Sequence, residues 1–104
     1  MRLVECTVTV IAQAGAYQNA TWGVAVAKAG IEDGHALFGG SLIVDPNGEI
    51  AVEAKTDDDE LLVHACDLDA TIFGKTTIFD FARHRRIEHY GLITSRTGAE
   101  APTA

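Results

Sequence analysis

The stretch "LFGGSLIVDPNGEIAVEA" (residues 37–54) decides the fold class. Its first part, residues 37–44, is a nearly continuous apolar run, the signature of a strand buried on both faces. The turn DPNG (45–48) follows. Proline fits the second turn position, asparagine the third, and glycine accepts a positive φ at the fourth. EIAVEA (49–54) then alternates, with Ile50, Val52 and Ala54 on one side and Glu49 and Glu53 on the other. Strand, tight turn and strand predict a β-hairpin over 37–54.

Upstream, TWGVAVA (21–27) reads as another strand. Trp22, Val24 and Val26 share one face, and Thr21, Gly23, Ala25 and Ala27 share the other. A face of small residues suits a closely packed second layer, so burial on both sides is expected. KAGIEDGH (28–35) reads as a loop from its glycines and acids. Nearer the start, Val4, Thr7, Val8, Thr9, Val10 and Ile11 favour a strand over 3–11. The Ala-rich AQAGAYQN (12–19) favours a short helix or helix end.

Downstream, KTDDDE (55–60) is a solvated acidic loop without the spaced ligands and glycine of a calcium loop. LLVHACDL (61–68) reads as a further strand with Cys66 inside it. Asp67 or Asp69 caps a short helix starting near Ala70, which Gly74 ends. Residues 76–93 fit a helix or an extended arm, and 94–104 a flexible tail.

A chain of 104 residues makes one domain with a thin core. Its net charge of −7 argues against a nucleic-acid partner, because phosphate binding wants a basic surface. The charge is uneven. Acids crowd residues 45–69, whereas Lys75, Arg83, Arg85, Arg86 and Arg96 follow, so two copies or two halves would attract. Cys6 and Cys66 have neither CxxC nor metal spacing and read as reduced thiols in a cytoplasmic protein. His35, His64, His84 and His89 form no metal pattern and read as surface or interface residues. The apolar start, LVECTVTVIA, is interrupted by Glu5 and preceded by a single arginine, which argues against a secretory signal. No stretch is long enough to span a membrane, so no membrane partner is expected.

Four blocks, QAGAYQNATWGVAVAKAGIEDG, LFGGSLIVDPNGEI, DDDELLVHACDLD and FDFARHRRIEHYGLI, come in a familiar order and spacing. Over residues 12–93 the chain resembles the C-terminal part of carbon–nitrogen hydrolases of the nitrilase superfamily, and most of all the N-carbamoyl-D-amino-acid amidohydrolases. The resemblance divides the chain into a non-matching segment (1–11), a partial hydrolase domain (12–93) and a flexible tail (94–104). It implies an α/β fold: the C-terminal half of an α-β-β-α sandwich, about four to five strands with a short helix and a C-terminal arm. It also implies an oligomer, or assembly with a complementary hydrolase portion, with Arg83, Arg85, Arg86 and Tyr90 at the interface.

The chemistry of the family uses a Cys nucleophile, a Glu general base and a Lys that supports the oxyanion, without metal or organic cofactor. The nucleophile stands in a motif of the type Cys-Asn/Tyr-Asp-x-Arg. Cys6 is followed by TVTV, so it does not fit, and Cys66 aligns with a core position. No catalytic residue is therefore assigned in this chain. Asn19 is a weak pocket-shaping candidate, more simply read as a cap or turn residue. Ser41 lacks a G-x-S-x-G frame and reads as a hydroxyl bonded to backbone, with Gly39 and Gly40 permitting close approach.

Overall fold

A computed structural model describes residues 3–98, with side chains from Cys6 onward. The main elements are a helix α1 (Leu3–Gln18) and strands β1 (Gly23–Ala25), β2 (Ala29–Glu32), β3 (His35–Phe38), β4 (Leu42–Val44) and β5 (Ile50–Glu53). Two single-turn helices, α2 (Phe81–His84) and α3 (Gly91–Thr94), lie in the C-terminal arm.

The predicted hairpin forms, with a break. β4 and β5 pair antiparallel, Leu42 opposite Glu53 and Ile43 opposite Val52. Asp45 organises the turn between them. Its Oδ1 accepts from the amides of Asn47 at 2.9 Å and Glu49 at 3.0 Å. Gly48 takes a φ of +81°, as the fourth turn position requires. The register shifts so that Val44 faces Ile50, which leaves Ala51 as an extra residue. This bulge sets Ile50 and Val52 opposite residues of opposite faces and ends the simple alternation read from the sequence. The apolar run 37–44 is not one strand. Gly39 (φ +64°) and Gly40 (φ +76°) break it between β3 and β4.

β1 joins the other side of β4, giving a three-stranded antiparallel sheet in the order β1-β4-β5. The strand at 21–27 is shortened to three residues. Its small face works as read: a Cβ placed on Gly23 would stand 3.5 Å from the Ala16 Cβ of α1. The expected burial of its other face is wrong. Val24 is 66% exposed and Val26 85% exposed, because nothing lies over them.

Residues 28–35 are not a loop. β2 and β3 form a separate hairpin, with Ala29 opposite Phe38 and Glu32 opposite His35. Asp33 (φ +52°) and Gly34 (φ +79°) make the tight turn, whose two left-handed residues match the twist of the flanking strands.

The strand expected over 3–11 is helix. Residues 9, 12, 13, 16 and 20 are the inward positions of α1 and its cap, a spacing of three and four that only a helix presents to one side. Ala12 and Ala16 pack on Leu42, Val44 and Ala25 to make the core. The β-branched Val8, Val10 and Ile11 that favoured a strand are exposed instead. α1 ends in a Schellman arrangement: Thr21 N–H donates to the Ala16 carbonyl at 3.0 Å and Ala20 N–H to that of Tyr17 at 3.1 Å. Ala20 occupies the left-handed position with φ +45° and is fully buried.

Residues 61–67 form no strand, so Cys66 is half-buried in an irregular segment. Asp67 caps as predicted: its side chain accepts from Asp69 N–H at the start of a 3-10 turn, Leu68–Thr71. Gly74 does not end a helix there but opens a π turn, Gly74–Ile78. Residues 76–93 are neither one helix nor an extended arm but a series of short turns, including α2, a 3-10 turn at Ile87–His89, and α3. The expected flexible tail begins at the end of α3, and residues 99–104 lie outside the described part.

Candidate functional site

An open cleft of about 380 Å³ lies where the strand ends meet the acidic loop. Val26 and Lys28, Gly40 and Ser41, and Thr56 and Glu60 are among its lining residues. The Gly39–Gly40 break turns the chain between β3 and β4, which places Ser41 at its wall. There is no room for a side chain at Gly39, whose Cβ would stand 3.1 Å from the Ala29 Cβ.

The polar groups of this cleft are held by backbone. The Ser41 hydroxyl accepts from the Ala27 amide at 2.8 Å and lies 3.3 Å from the Ala27 carbonyl, to which it donates. This is the backbone-bonded hydroxyl expected from the sequence, half-buried just ahead of β4. The Glu60 carboxylate accepts from the amides of Lys55 and Thr56, each at 3.0 Å, and from the Thr56 hydroxyl at 3.0 Å. The Lys55 amide is the main cause that holds the Glu60 carboxyl below its ordinary pKa. Serine and glutamate are thus committed to shaping the loop.

The sequence-predicted residues are spread over the molecule. Asn19 is exposed, and its side-chain amide donates to the Gly15 carbonyl of its own helix at 2.8 Å. It borders a shallow groove between α1 and β1, away from the Ser41 cleft. Arg83, Arg85 and Arg86 are exposed in and after α2. Among the described residues no carboxylate forms an ion pair with them. Tyr90 is half-buried, and its hydroxyl accepts from the Arg86 backbone N–H at 3.2 Å. Cys6 is exposed on α1. The Cys66 thiol lies 3.7 Å from the His64 carbonyl, and both thiols are free. Among the described residues no group of three His, Cys, Asp or Glu side chains is placed to hold a metal.

Local pattern gave no hint of the contacts that tie the arm to the body. Trp22 Nε1 donates to the Asp67 carbonyl at 2.9 Å, and its ring lies 5.4 Å from that of His64. Lys75 Nζ reaches the carbonyls of Ala20 at 3.0 Å and Asn19 at 3.4 Å. α1 has no basic residue in its last turn, so Lys75 brings the cation that its negative end favours. Gln13 Nε2 donates to the Gly48 carbonyl at 2.9 Å and joins the helix to the hairpin turn. The partners are 35 to 55 residues apart in the chain, and no short motif encodes such pairings.

A helix laid on an antiparallel sheet, followed by an arm of short turns, defines a mixed α/β scaffold. The family model for carbon–nitrogen hydrolases matches residues 2–75. The chain belongs to the carbon–nitrogen hydrolase family. The matched stretch takes in α1 as well as all five strands. Among solved structures the chain is similar to a carbon–nitrogen hydrolase from Helicobacter pylori G27, with a TM-score of 0.74 and 27% identity. That likeness covers 89% of this chain and 34% of the other, so the chain spans about a third of that hydrolase.

Proposed function

We infer that this chain is a structural, C-terminal part of a carbon–nitrogen hydrolase of the N-carbamoyl-amino-acid amidohydrolase kind. It supplies half of a layered sandwich and a subunit contact, and the reacting groups come from a complementary portion. The parent reaction hydrolyses an N-carbamoyl amino acid to the amino acid, ammonia and carbon dioxide. A thiolate attacks the carbamoyl carbon, a carboxylate handles the protons, and an ammonium supports the oxyanion. One observation carries the assignment of a non-catalytic role: the serine and glutamate of the Ser41 cleft are bound to backbone rather than poised for chemistry. Arg83, Arg85, Arg86 and Tyr90 are assigned to the contact between cytoplasmic subunits, since the exposed guanidinium groups form no ion pair within the described chain.

The test is ammonia release from N-carbamoyl amino acids of both hands. The chain alone is expected to give none. Turnover that disappears in a Cys6→Ala variant would overturn the assignment. A second reading, a non-catalytic scaffold that self-associates or binds a relative, is supported by the exposed Val24, Val26 and Ile31. Adding a Glu–Lys–Cys-bearing hydrolase portion separates the two. Restored turnover supports the first reading, and association without turnover supports the second.

A further inference from the structure

The segment Leu61–Cys66 has the sequence of a strand and the surroundings of none. Its alternating residues are LLVHAC, yet it pairs with no strand, and no backbone–backbone hydrogen bond reaches it. Among the described residues, the only hydrogen bond to its backbone is the long one from the Cys66 thiol to the His64 carbonyl. Leu61 is 85% exposed and Val63 77% exposed. Both flanks are nevertheless fixed. On one side Glu60 closes the loop onto Lys55 and Thr56. On the other, Trp22 holds the Asp67 carbonyl and stands against His64. A stretch pinned at both ends, with unpaired amides and carbonyls between, has already lost much of the freedom that strand addition would cost.

We propose that Leu61–Cys66 is a docking strand, paired by an extended segment of another polypeptide that alternates apolar residues and carries Lys or Arg against Asp57–Glu60. Charge selects this occupant over a second copy. Two copies paired antiparallel about Val63 and His64 would set Glu60 opposite Asp67 and Asp58 opposite Asp69. Two copies paired parallel and in register would set the run Asp57–Glu60 against itself. Like charges directly opposite disfavour either arrangement, whereas a cationic strand end meets four acids. The proposal concerns backbone pairing and does not depend on which reaction the family member performs, so the ammonia assay and this test fail separately.

The experiment adds three synthetic peptides to the whole chain and follows amide exchange. One alternates Val and Thr and ends in lysines, the second ends in glutamates, and the third is the lysine peptide with alternate amides N-methylated. The lysine peptide is expected to slow exchange at Leu61–Cys66 by about tenfold or more, an effect that weakens as salt is added. The glutamate and N-methylated peptides are expected to give no protection. A Val63→Pro variant, which deletes an N–H with no partner in the chain, is expected to keep its circular dichroism and lose the protection. Protection that is absent with the lysine peptide, equal with the glutamate peptide, or unchanged by N-methylation would overturn the proposal. So would protection of the same amides that appears without peptide as the chain is concentrated, which would make the occupant a second copy.

Discussion

Ala20 and Gly74 show how narrowly single residues fit. Ala20 holds the left-handed position that ends α1, where glycine is the usual occupant, and its methyl group is fully buried. Gly74 packs against it so closely that a Cβ there would stand 2.5 Å from the Ala20 Cβ. Gly74→Ala is therefore expected to destabilise the chain by about 1–3 kcal/mol through overpacking, read from urea unfolding. Ala20→Gly makes room and suits the φ, so in the double variant the cost of Gly74→Ala should fall by about 1 kcal/mol or more. Strict additivity would show that the two sites do not touch. Glu60 gives a prediction in pH. Its carboxyl titrates below the ordinary value because the charged form holds the Lys55 and Thr56 amides. The folded pKa lies below the unfolded one, so the contribution is complete above the ordinary carboxylate range and is lost as pH falls through the lowered value. Amide chemical shifts of Lys55 and Thr56 should follow that titration, and Glu60→Gln should remove it. At this scale the sequence was readable wherever a residue acts on its neighbours. Asp45, Gly48 and Asp67 perform the local tasks their types predict. Trp22 and Lys75 act across 45 and 55 residues, and nothing beside them in the chain says so.

Among the elements, β4 is the centre of the fold. It is paired on both sides, and Leu42 and Val44 are its largest fully buried side chains. Truncating Leu42 to alanine should cost about 2–5 kcal/mol, since the Ala12 and Ala16 methyl groups above it are too short to fill the space. The matching change at exposed Val26 should move the urea midpoint little; equal effects at both positions would contradict the assignment of the core. The same packing explains the misread elements. Residues 3–11 have β-branched side chains, but their helix is decided by the small residues that follow at helical spacing and lie on β4. Propensity yields there to packing. β2 and β3 were concealed by the acids and glycines of 28–35, although Asp33-Gly34 is itself a hairpin signal. Residues 61–68 have the pattern of a strand, but a pattern supplies no partner, and the chain offers none. The Ser41 cleft was illegible for a related reason: three separate stretches line it, and they meet only because Gly39 and Gly40 interrupt an apolar run.

The whole molecule is a slab of 50 × 43 × 19 Å with a radius of gyration of 18.5 Å. A compact domain of this length would have about 13 Å. The excess follows from the distribution of apolar groups. α1 covers one face of the three-stranded sheet, while Val24, Ile31, Leu61 and Val63 remain in solvent. Such a surface favours association, which the net charge of −7 opposes between whole copies. Arg83, Arg85 and Arg86 are the counterweight. They are clustered, exposed and without a carboxylate partner in the described chain, and the acids of residues 57–60 are equally accessible. Purified chain should therefore grow in light-scattering mass with concentration and bind a hydrophobic dye. Replacing Arg83, Arg85 and Arg86 together by alanine should weaken that association about tenfold, at a few tenths of a kcal/mol for each exposed pair lost. Because the arginines are remote from the α1–β4 core, the variant should unfold at an unchanged urea midpoint. A monomer at every concentration, or association indifferent to the three arginines and to salt, would show that the apolar faces alone govern how the chain meets its neighbours.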